Sequence, residues 1–82
     1  MSLTKRKKTS LSKLAKDTEA LGLHTFMGSV LRASDFMMRE DATDSDLRNA
    51  DEHLDQAESV AAPATAAKVS KIRDRLSRIR FR

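Results

Sequence analysis

The stretch Leu23–Met38, LHTFMGSVLRASDFMM, holds more apolar residues than one stripe of a helix can carry. At ~100° per residue, Leu23, Phe26, Met27, Val30, Ala33 and Met37 share a face, while Leu31, Phe36 and Met38 fall outside it. A helix that is apolar beyond a single stripe tends to be surrounded. The spacing therefore predicts a central helix near 24–39, covered by the other segments or by a second copy. Phe26, Met27, Val30, Leu31, Phe36, Met37 and Met38 form the expected dimer or partner interface. Gly28 within it suggests close approach of a neighbouring backbone, since Gly in a helix costs about 1 kcal/mol relative to Ala.

The other segments read as helices too. Leu11, Leu14, Thr18 and Leu21 recur at three- and four-residue intervals behind Ser10 and Ser12, either of which can cap a helix start. Gly22 stands where a left-handed residue would end that helix, and Thr25 is placed to cap the next. Leu47, Ala50, Leu54, Ala57 and Ala61 make a narrow seam after Thr43 or Ser45 as cap, with Asp44 and Asp46 in the positive first turn. Pro63 interrupts this helix and suits the first position of the next, which carries Val69, Ile72, Leu76 and Ile79.

The fold expected is all-α, a small bundle of about four helices near 10–21, 24–39, 45–61 and 63–80, with an antiparallel C-terminal hairpin. Residues 1–9 read as a flexible basic arm ahead of a single domain, 10–82. A chain of 82 residues without cysteine has no disulfide to support a marginal core. A homodimer is the expected remedy.

Charge is distributed in three blocks. Residues 1–39 hold eight bases and three acids, 40–60 one base and eight acids, and 61–82 seven bases and one acid. An antiparallel hairpin with facing residue numbers summing to 126 sets Glu58 opposite Lys68, Asp55 opposite Lys71, Asp51 opposite Arg75 and Asp46 opposite Arg80. Arg48 then opposes Arg78, while Arg73 and Arg82 are left unassigned. With Lys5, Arg6, Lys7 and Lys8, the unassigned Arg73, Arg78 and Arg82 are the expected nucleic-acid-binding residues. No aromatic residue alternates with these bases, so contact with backbone phosphate is expected rather than base stacking.

Other chemistries find little footing. A helix-turn-helix over residues 11–34 would place LHTFMGSVL in a groove, where its apolar residues have no use. A calcium loop from Asp44 fails at Arg48, Asn49 and Asp55. His24 and His53, the only histidines, lack a carboxylate or second histidine at ligand spacing, so neither a metal nor a cofactor is expected. No nucleophile motif or phosphate loop occurs, and the chain is read as a non-enzyme. No run approaches the roughly 20 apolar residues of a membrane span, and a cytoplasmic location is expected. The expected function is a small accessory or regulatory protein on nucleic acid; the alternative is an adaptor or inhibitor that grips a protein by the Met-rich helix.

Overall fold

The computed structural model describes residues 5–81, which form four helices: α1 (Lys5–Thr25), α2 (Gly28–Met37), α3 (Asp44–Val60) and α4 (Pro63–Phe81). No strand occurs among the described residues. Each helix packs on two others, α1 on α2 and α4, and α3 on α2 and α4. The four stripes meet in one core. Leu14, Val30, Leu54, Val69 and Leu76 lie at its centre with no exposed surface.

The two C-terminal helices follow the sequence pattern closely. Leu47, Ala50, Leu54 and Ala57 of α3 are buried, as are Val69, Ile72, Leu76 and Ile79 of α4. Thr43 caps α3: its hydroxyl accepts from the Asp46 amide at 3.2 Å, and the Asp46 carboxylate accepts from the Thr43 amide at 3.0 Å. That reciprocal pair satisfies two orphan donors of the first turn. The Thr43 amide bond, helped by the Arg39 guanidinium 2.9 Å away, holds the Asp46 carboxyl below its usual range. Pro63 opens α4, where its missing N–H costs nothing.

The N-terminal half departs from expectation at both helix ends. α1 starts at Lys5, so Ser10 and Ser12 are exposed residues inside the helix and not caps. Residues 5–9 are helical because the run contains no Gly or Pro and is rich in Lys and Arg, which are good helix formers. Gly22 does not stop the helix. It is buried within it, and no glycine adopts a left-handed backbone. The stop falls four residues later, where Phe26 has φ 58° and the Met27 amide donates to the Gly22 carbonyl at 3.2 Å. This is the closing bond of a Schellman turn with a phenylalanine in the glycine position.

What Gly22 supplies is proximity. A Cβ built there would lie 2.8 Å from Leu31 Cγ and 3.1 Å from the Leu31 backbone nitrogen. The close approach expected at Gly28 therefore belongs to Gly22, since a Cβ on Gly28 would meet nothing within 4 Å. Below this contact Thr18 is buried; its hydroxyl donates to the Leu14 carbonyl at 2.7 Å and lies 3.8 Å from Met37 Sδ. Thr25, expected as a cap, ends α1 and donates to the Leu21 carbonyl.

α2 is accordingly ten residues long and is flanked on two sides, not surrounded. Of the apolar residues that suggested a central helix, Leu23 falls in the last turn of α1, Phe26 in the turn and Met38 after α2, all exposed, while Leu31 and Phe36 are half-buried within α2. Phe26 is 92% exposed in a backbone region that costs a bulky residue about 1–2 kcal/mol. Burial recovers none of that cost. Phe26→Gly should therefore stabilise the protein by about 0.5–1 kcal/mol, read as a rise in the urea midpoint; an unchanged or lower midpoint would show that the ring is held by contacts.

Candidate nucleic-acid interface

Packing α1 on α4 and α2 on α3 turns the three charge blocks of the sequence into two faces. The α1 and α4 segments together carry twelve bases and three acids; residues 26–62 carry three bases and nine acids. One side of the bundle is thus strongly positive and the other negative. Lys5, Arg6, Lys8, Lys13 and Lys16 of α1 and Lys68, Lys71 and Arg78 of α4 are all exposed.

The acidic helix draws some of this charge inward, but not through the pairs expected. Arg73, expected to lack a partner, is enclosed by three carboxylates of α3: Asp51 at 3.0 Å, Asp55 at 3.1 Å and Glu58 at 2.7 Å. Hydrogen bonds to Asp51 and Glu58 raise its already high pKa, so its charge is fixed. Arg80 pairs with Asp44 at 3.2 Å. The Arg73–Asp51 and Arg80–Asp44 numbers each sum to 124, while Arg73–Asp55 and Arg73–Glu58 sum to 128 and 131, so these long side chains reach to either side of 126 and fix no register. Arg73 forks onto Asp51 through Nε and Nη2, whereas Arg80 reaches Asp44 by a single Nε bond. Lysines at 68 and 71 point elsewhere and have no ion pair among the described residues.

The remaining arginines of α4 behave differently. Arg75 crosses to α1 and meets Asp17 at 2.9 Å; it does not pair with Asp51. Arg78, expected to oppose Arg48, bonds Asp74 within α4 at 2.8 Å, and Arg48 turns to Asp44 at 3.7 Å. Both of these pairs are more than half exposed. Exposed pairs of this kind contribute about 0–1 kcal/mol, so Arg78 is readily exchanged to a stronger anion while Arg73 is not.

Of the seven residues expected to bind nucleic acid, Lys5, Arg6 and Lys8 lie exposed on the first turns of α1 and Arg78 on α4. Lys7 is half-buried, Arg73 is engaged by α3, and Arg82 lies outside the described residues. Lys13, Lys16, Lys68 and Lys71 were not singled out, although they are exposed on the same two helices. The signal that connects them is Asp17, the acid on the Arg6–Lys13 flank of α1, because its bond to Arg75 fixes which flank of α1 meets α4.

The seven residues of the expected dimer or partner interface do not share one exposed surface. Val30 and Met37 are buried in the chain's own core, which removes them from any surface offered to a second copy. Phe36 is stacked on His53 at 5.7 Å, with the Arg39 guanidinium 4.7 Å above the ring centroid. Phe26 and Met38 are exposed at opposite ends of α2, and Met27 and Leu31 are half-buried.

A cleft of about 500 Å³ between α1 and the α2–α3 connection has Leu11 and Met37 in its floor and Lys8, Ser12, Arg39, Glu40 and Asp41 on its rim. No base is bonded to the Ser12 hydroxyl there. Among the described residues no cluster of His, Asp and Glu is spaced to hold a metal ion. No described helix is long and apolar enough to cross a membrane. Neither a family model, a curated protein nor a solved structure matches this chain.

Proposed function

We propose that the protein associates with nucleic acid through the exposed bases of α1 and α4, as a small accessory or regulatory protein that contacts backbone phosphate. The observation that carries this reading is the packing of α1 on α4, which gathers eight exposed bases on two adjacent helices while the carboxylates of α3 occupy Arg73 and Arg80. The reading includes an antiparallel α3–α4 pair, supported by Arg80 at the end of α4 meeting Asp44 at the start of α3. In that arrangement the acidic side faces away from the polyanion and fixes which side docks.

Salt dependence tests it directly. If about five of the eight bases displace counterions, log K falls with log salt at a slope of about −4.5. A fluorescently labelled duplex titrated with the protein over a series of salt concentrations gives this slope. Absence of binding at about 50 mM salt, where phosphate contacts are strong, would dispose of the proposal.

A further inference from the structure

The connections α1–α2 and α3–α4 carry no charge. Residues 20–31 and 59–67 hold no Asp, Glu, Lys or Arg, so all sixteen bases and twelve acids of the chain lie elsewhere. Contacts along the helices bring these two segments to one end of the bundle. Between α1 and α2, Thr18 meets Met37 and Gly22 faces Leu31. Between α2 and α3, Arg39 meets Asp46 and Phe36 stacks on His53. Between α3 and α4, Asp44 meets Arg80 and Asp51 meets Arg73. In each of these helix pairs one number rises as the other falls, which supports successive helices running in opposite directions. On that course the first and third connections share an end, and residues 38–43 occupy the other.

The uncharged end is also apolar. Phe26 is 92% exposed there, Val60 79% and Leu23 60%. Phe26 holds its left-handed backbone, φ 58°, with no return to the lone chain, and strain of that kind concentrates where a residue has work outside the fold. Met38 and Phe81 are exposed at the other end, but beside Arg39, Glu40, Asp41 and Arg80.

Charge selects what can cover the uncharged end. In a two-fold pair the same surface meets itself. Contact through the α1–α4 side would set base on base, contact through the α2–α3 side acid on acid, and like charges brought together oppose both. The uncharged end meets its own copy without that repulsion. A bilayer is a poorer cover: α2 begins here without a side-chain cap, and hydrocarbon offers its first-turn N–H groups no acceptor.

We infer that a second copy of the chain covers this end, in a two-fold pair made by Phe26, Leu23 and Val60 of each protomer. The pairing stands independently of the phosphate-binding role proposed above. Area sets its strength. A bundle 20 × 18 Å in cross-section has an end of roughly 350–400 Å², so two ends in contact bury about 700–800 Å², below the ~1,200 Å² at which stable interfaces begin. The pair is therefore weak and reversible, with Kd between about 10 µM and 1 mM.

Sedimentation equilibrium of the full-length protein from about 10 µM to 1 mM is expected to show monomer and dimer and no larger species. Raising salt from about 50 to 500 mM should leave Kd within ~3-fold, because no ion pair holds the contact. Phe26→Gly with Leu23→Gln should weaken the pair by ~10-fold or more, although Phe26→Gly is expected to stabilise the lone chain. Met38→Gln with Phe81→Gln, at the other end, should change Kd by less than ~3-fold. Circular dichroism of both variants checks that helix content is kept.

A monomer throughout that concentration range overturns the inference. So does association that weakens steeply with salt or grows beyond the dimer, since basic sides would then be stacking on acidic ones in an open series. Equal losses in the two double variants also overturn it. Phe26-dependent co-sedimentation of a monomeric chain with phosphatidylcholine vesicles would give the end to lipid and not to a second copy.

Discussion

Gly22→Val is expected to lower stability by about 3 kcal/mol, more than half of what a marginal small domain has. Two distances set the cost. The new Cβ would lie 2.8 Å from Leu31 Cγ, and Leu31 is half-buried, so its side chain can swing aside. It would also lie 3.1 Å from the Leu31 backbone nitrogen, which moves only if α2 moves. Alanine tests the balance: it gains about 1 kcal/mol of helix propensity and loses somewhat more to the displaced helix, for a net cost near 1 kcal/mol. Valine adds two methyl groups to the same gap and has little propensity gain to set against them. Gly28→Ala is the control, because its Cβ meets nothing within 4 Å, and it should be neutral or stabilising. Urea unfolding followed by helical circular dichroism measures all three; a Gly22→Val protein as stable as the parent would mean that α1 and α2 are further apart than described.

That same glycine marks where the sequence was readable and where it was not. The starts of α3 and α4 each carry a local chemical signal, a hydroxyl cap at Thr43 or Ser45, of which the structure uses Thr43, and the imino acid at Pro63. Gly22 carries two meanings in a sequence, helix stop and close contact, and only the presence of Leu31 opposite it selects the second. Phe26 carries no stop signal at all. Its left-handed backbone is imposed by the need to return α2 onto α1, a tertiary demand that overrides local preference. Reading through that turn merged the end of α1, the turn and α2 into one over-apolar helix, and the expected interface of Phe26, Val30 and Met37 arose from that merger.

The charge pattern was legible in outline and misassigned in detail. Alternation of positive and negative blocks announced that the acidic run and the C-terminal tail would meet, and Arg73 and Arg80 do meet α3. Which bases meet it depends on a rotation of α4 that is set by burial of Ile72, Leu76 and Ile79. The apolar stripe leaves Arg73 on the α3 flank and Lys71 on the outer one. The α1–α4 contact had no counterpart in the sequence reading, because two segments separated by 37 residues share no periodic signal. It is nonetheless what collects the exposed bases.

Arg73→Leu should cost about 2 kcal/mol, whereas Arg75→Leu should cost about 0.5 kcal/mol or less. Both remove one cation that bridges two helices, and the difference lies in what remains. Loss of Arg75 leaves Asp17, roughly half exposed and free to hydrate. Loss of Arg73 leaves Asp51 and Glu58, about 30% exposed, and Asp55 beside them, three like charges on one flank of α3 with no counter-ion across the seam. The guanidinium itself is about a third exposed, which keeps the figure below the 3–5 kcal/mol typical of breaking a fully buried pair. Adding Asp51→Asn and Glu58→Gln to Arg73→Leu should restore most of the loss, because the penalty belongs to stranded charge and not to the missing side chain. If the triple variant unfolds at the same urea concentration as Arg73→Leu alone, the guanidinium contributes through packing of its stem against the core rather than through the carboxylates it joins. The internal consumption of charge would then be incidental to the fold, and Arg73 could be replaced by any long apolar residue without changing which face of the bundle is positive.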